Sequence, residues 1–79
     1  MVIEIISPET TILPLTEIKK AKFPGKEGSF EVLNNHAPMV AVLKKGKIRI
    51  TDAENKNTFF DVNGGVVELR KNKIIVLAE

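Results

Sequence analysis

Apolar residues recur along this chain with a period of two rather than three or four. Val2-Ile3-Glu4-Ile5-Ile6 opens as a β-type run and is stopped at Ser7-Pro8, because proline cannot donate to a ladder. Thr11-Ile12-Leu13 follows and Pro14 interrupts it; Leu15 to Phe23 alternates imperfectly, which predicts an exposed strand with a bulge. Pro24-Gly25-Lys26-Glu27-Gly28 has the composition of a turn. Ser29–Leu33 is a short strand, and Asn34-Asn35-His36-Ala37-Pro38 is a corner. Met39–Leu43 is continuously apolar and predicts a strand buried on both sides. Lys44-Lys45-Gly46 is expected to turn the chain into Lys47–Thr51, where Ile48 and Ile50 face inward. After the polar stretch Asp52–Asn57 come Thr58–Val62, a type I′ turn expected at Asn63-Gly64, Gly65–Leu69, a tight turn at Lys71-Asn72, and Lys73–Ala78.

No window of helical length carries an apolar i, i+3, i+4, i+7 pattern. The pattern therefore predicts an all-β fold: an antiparallel β-sandwich or flattened barrel of short strands in one domain, 1–79. A domain this small buries a limited share of its surface and has modest stability alone. The core has to come from Ile, Val and Leu, because Trp and Tyr are absent and Phe23, Phe30, Phe59 and Phe60 are the only large rings.

Charge changes little. The net charge is +2, and the basic residues gather as Lys19-Lys20-Ala21-Lys22, Lys44 to Arg49, and Arg70 to Lys73. Solvated turns account for these clusters better than a nucleic-acid surface, since no aromatic residues interleave with them. The absence of cysteine removes disulfides, thiolate metal sites and thiol catalysis. Val2–Ile6 is too short an apolar run for a signal peptide, and no stretch reaches the ~20 residues that span a bilayer. Membrane association would then be indirect, through a partner, with no direct insertion.

Site chemistry is sparse. His36 is the only imidazole and has no nucleophile beside it in sequence, so a corner histidine bonded to backbone is favoured over a catalytic base. The ten carboxylates are scattered and none follows a calcium-loop spacing. Gly25-Lys26-Glu27-Gly28 is not a phosphate loop, because it lies between strands and opens no helix. The expectation is no catalytic residue, no metal and no cofactor. Three classes stay in view: a surface-acting binding or coupling domain, a small β-barrel binding single-stranded nucleic acid through its lysines, and a minimal enzyme built on His36 and a carboxylate. The first is favoured.

Five segments in order sharpen this reading: Gly25-x-x-Gly28; Asn35-His36-Ala37-Pro38; Leu43-Lys44-Lys45-Gly46-x-Ile48-Arg49-Ile50; Gly64-Gly65-x-x-Glu68-Leu69; and Asn72-x-Ile74-x-Val76-Leu77-Ala78. Together they closely resemble the N-terminal β-sandwich domain of the epsilon subunit of F-type ATP synthases. The resemblance implies a flattened β-sandwich of about ten short strands and a non-catalytic subunit of the central rotor stalk. Such a subunit fastens the gamma shaft to the membrane c ring, on the cytoplasmic face of the bacterial inner membrane, and couples proton or sodium flow to ATP synthesis. It implies gamma-subunit contacts at Ser7, His36, Met39, Val40 and Ala41, and c-ring contacts at Lys26, Glu27, Gly28 and Ser29. Many relatives carry an acidic residue at the position of Ser29, and Glu27 is the neighbour able to supply that charge. Family members usually continue beyond the position of Glu79 into a helical hairpin that inhibits hydrolysis and in some cases binds ATP; a short form ending here is expected to lack both properties.

Overall fold

A computed structural model describes every residue from Met1 to Glu79 and contains only strands. They are β1 (Val2–Ile6), β2 (Thr11–Glu17), β3 (Lys20–Phe23), β4 (Phe30–Val32), β5 (Met39–Thr51), β6 (Asn57–Arg70) and β7 (Lys73–Ala78). They form one sheet in the order β2-β1-β7-β6-β5-β3-β4. The all-β expectation holds, but with seven strands rather than about ten.

The difference lies in β5 and β6. Lys44-Lys45-Gly46 and Asn63-Gly64, both expected as turns, lie inside these strands, which stay paired from Met39↔Leu69 to Thr51↔Asn57. What changes midway is the buried face. In β5, Leu43 is buried, and then Ile48 and Ile50; in β6 the buried set moves from Val62 to Val67 and Leu69. Odd positions therefore face the core in one half of this hairpin and even positions in the other. A regular strand cannot do this, because its side chains alternate strictly. Gly64 and Gly65, with φ of 139° and 146°, supply backbone conformations that make the exchange. The sheet folds over at this point, so that its two halves face each other across one core.

That core draws on both halves: Ile3, Ile5, Val67, Leu69, Ile74 and Val76 from one, and Ala21, Phe23, Val32, Ile48, Ile50 and Val62 from the other. Phe23 and Phe30 stack with ring centroids 5.4 Å apart. Three further departures concern β1, β2 and β3. The segment Leu15–Phe23 divides into β2 and β3 around buried Ile18, and β2 runs through Pro14. Proline is tolerated there because β2 is an edge strand. Finally, β1 pairs with β7 in parallel, Val2↔Lys73 through Ile6↔Leu77, inside an otherwise antiparallel sheet. The Lys71-Asn72 turn is as expected, with φ of 48° and 61°.

Candidate functional site

Two features stand out on the surface. The first is the outer face of the half built from β1, β7, the C-terminal part of β6 and the N-terminal part of β5. Cross-strand pairing aligns Ile6, Leu77, Val66 and Val42 in one row and Glu4, Ile75, Glu68 and Val40 in the next. Val40, Val42 and Leu77 are 68%, 53% and 55% exposed. The continuous apolar run Met39–Leu43 predicts burial on both sides, but here only one side is covered. Val40 and Val42 are exposed, which corrects that expectation for β5.

The second feature is the loop between β3 and β4. The Gly28 amide donates to the Gly25 carbonyl at 3.0 Å. The loop is then tied to β5: the Lys26 amide donates to the Val42 carbonyl at 2.8 Å, and the Lys44 amide to the Pro24 carbonyl at 2.9 Å. Gly25 has no room for a side chain, since a Cβ would lie 2.4 Å from the Gly28 carbonyl oxygen and 2.9 Å from the Phe30 ring. This close approach presents Lys26, Glu27 and Gly28 to solvent beside Val40 and Val42, around a hollow of about 310 Å³.

The remaining residues singled out from the sequence are dispersed. Met39 and Ala41 turn toward the core. The Ser7 hydroxyl donates to the Thr10 carbonyl at 3.0 Å and accepts from the Thr10 amide at 3.2 Å, closing the β1–β2 turn. His36 is exposed at the corner, with Nδ1 2.7 Å from the Ala37 carbonyl oxygen. The Asn35 amide donates to Asn72 Oδ1 at 2.9 Å, pinning this corner to the β6–β7 turn. Ser7 and His36 thus lie toward opposite ends of the β1–β5 half. Ser29 opens onto a different hollow from Lys26–Gly28. No three His, Cys, Asp or Glu side chains come close enough to hold a metal ion.

Sequence reasoning missed Val42, Val66 and Leu77 as surface residues. The signal was present as three apolar runs in a chain too small to bury both faces of each strand.

Comparison with known proteins gives a consistent result. Residues 1–79 match the family model for the ATP synthase delta/epsilon chain β-sandwich domain. The chain is 36% identical over 77 residues to the ATP synthase epsilon chain of Chlorobaculum tepidum, covering 98% of this chain and 86% of that one. It is 42% identical over 77 residues to the epsilon chain of Leptospira interrogans, covering 98% of this chain and 59% of that one. Among solved structures, the fold superimposes with a TM-score of 0.93 on a chain of the Euglena gracilis mitochondrial ATP synthase (OSCP/F1/c-ring), at 16% identity, covering 99% of this chain and 49% of that one. It also matches a chain of the Tetrahymena thermophila ATP synthase central stalk and c ring, with a TM-score of 0.75 at 20% identity, covering 98% and 63%.

Proposed function

The chain belongs to the ATP synthase delta/epsilon chain β-sandwich family, and from that premise we propose that it is a non-catalytic subunit of the central stalk, joining the gamma subunit to the c ring. It sits at the membrane through the complex, on the cytoplasmic face, and transmits ion-driven rotation. The observation that carries this reading is the row of exposed Leu77, Val66 and Val42, continued by half-buried Ile6. A contiguous apolar sheet face on a small domain marks a surface that a partner covers. Covering a Val or Leu side chain fully contributes about 1.5–3 kcal/mol, so this row and Val40 supply the apolar centre of a permanent interface. Gamma takes this face. The Lys26–Ser29 loop, held out from the sheet by Gly25, meets the polar loops of the c ring.

The test is co-elution with the gamma subunit of the same organism on size exclusion, at low and raised salt. A one-to-one complex that survives salt is expected, because an apolar contact is not screened. The Val42→Asp variant is expected to remain folded and to elute alone. Absence of any complex with the folded wild-type chain would sink the assignment.

A further inference from the structure

The outer face of the other half of the molecule is charged. Pairing across four strands aligns Glu31, Lys22, Arg49 and Phe59, with Lys47 two residues before Arg49 on the same face. Lys20 lies on the other side of Lys22. These four cations meet only two carboxylates. Glu31 is shared between the Arg49 guanidinium and Lys20 Nζ, the latter at 3.8 Å. Lys47 Nζ lies 2.8 Å from Asp61, with both side chains mostly exposed. Lys22 has no ion-pair partner. The excess of two positive charges equals the net charge of the entire chain.

Lys22, Lys47 and Arg49 line a hollow of about 390 Å³ together with Ser29, Asn57 and Phe59, and no carboxylate lines it. Phe59 is 57% exposed and offers an apolar surface beside these cations. The hydroxyl of Ser29 and the amide of Asn57 add neutral hydrogen-bonding groups. Three cations converge on the hollow; Arg49 and Lys47 are paired with Glu31 and Asp61, which lie outside its lining, and Lys22 is unpaired. Such a set attracts a compact acceptor group, and a guanidinium beside ammonium groups matches phosphate oxygens. The geometry points to this hollow as a binding site for a phosphate ester, with its oxygens on Lys22, Lys47 and Arg49 and its ester carbon against Phe59. The exposed Lys47–Asp61 pair is worth little on its own and releases Lys47 to the ligand at small cost. The site lies on the face opposite the apolar row and does not depend on what covers that row. The ester comes either from a soluble metabolite or from a phospholipid headgroup.

Amide chemical shifts of the 79-residue chain, titrated at constant ionic strength with sn-glycerol 3-phosphate, test the site. Vesicles of phosphatidylglycerol, compared with phosphatidylcholine, form the second arm. A saturable response centred on Lys22, Lys47, Arg49, Asn57 and Phe59 is expected in at least one arm. Response to the free ester identifies a soluble ligand, and response to phosphatidylglycerol alone identifies a headgroup. Lys22→Gln and Lys47→Gln are each expected to weaken binding by about threefold to tenfold, as loss of a charge-assisted hydrogen bond requires. Lys71→Gln, in the distant β6–β7 turn, should leave it unchanged. The proposal is overturned by no saturable response in either arm, by shifts spread equally over Lys44, Lys45 and Lys71, or by variants of Lys22 and Lys47 that bind like wild type.

Discussion

Glycines with similar positive φ in this protein differ sharply in what surrounds them. Gly65, at φ 146°, leaves no space, since a Cβ would stand 2.3 Å from the Leu77 carbonyl oxygen on the neighbouring strand. Gly28, at φ 129°, opens onto solvent with nothing within 4 Å. Gly28→Ala therefore meets backbone strain alone, on the order of 1–2 kcal/mol. Gly65→Ala adds a collision with backbone that cannot move without parting β6 from β7, so a loss of more than about 3 kcal/mol is expected. Urea denaturation of the two variants checks the order. Equal losses would mean that φ alone governs both sites. His36 shows a different limit at this scale. Its ring and its amide bond to backbone groups of Ala37 and Leu33, which makes it part of a corner.

Strands β5 and β6 carry the architecture at the next scale. Each changes which face is buried without breaking the ladder, so one hairpin belongs to both layers. Strand β1 is the other key element, held between β2 and β7 with Ile3 and Ile5 fully buried. Truncating either side chain removes transfer free energy and leaves a cavity, a cost of about 2–5 kcal/mol. The stability of a small domain is of similar size, about 5 kcal/mol at the low end of the usual range. Ile5→Ala is thus expected to unfold a large fraction of the isolated chain, read by loss of amide dispersion in the proton spectrum. Addition of gamma should restore the fold, because binding to the native state alone shifts the equilibrium toward it.

For the whole molecule, the two outer faces have opposite character, one with an apolar row and one with a cationic hollow, and the core lies between them. This division predicts that stability and binding separate. Val42→Ser and Val66→Ser, on the apolar face, should change the unfolding free energy by no more than about 0.5 kcal/mol, as exposed substitutions usually do. The same variants should lose salt-resistant co-elution with gamma. A large loss of stability in the free chain would show that this face is supported from within.

Much of this was legible in the residue order, for reasons of local chemistry. Alternation in Lys47–Thr51 puts Ile48 and Ile50 inward, as found, because a pleated strand has only two sides. A Pro- and Gly-rich stretch marked the 24–28 loop, and Asn72 the final turn, because Pro, Gly and Asn favour the backbone angles needed. The five segments quoted from the sequence were enough to indicate the family. Other features required the assembled sheet. Asn63-Gly64-Gly65 has the composition of a turn and also of a crossover between layers; only the unbroken pairing with β5 and β7 selects the second. The parallel β1–β7 pair joins residues at opposite ends of the chain, and no local pattern encodes such a partner. Whether Met39–Leu43 is covered on one side or both depends on how many layers a chain of this size can build. The charged hollow, likewise, exists only because β3, β5 and β6 bring Lys22, Lys47, Arg49 and Phe59 onto one face. Residue types determined the strands and their inward sides, since that information is local; tertiary pairing decided which outward sides came together, since contacts between distant strands leave no periodic mark in the sequence.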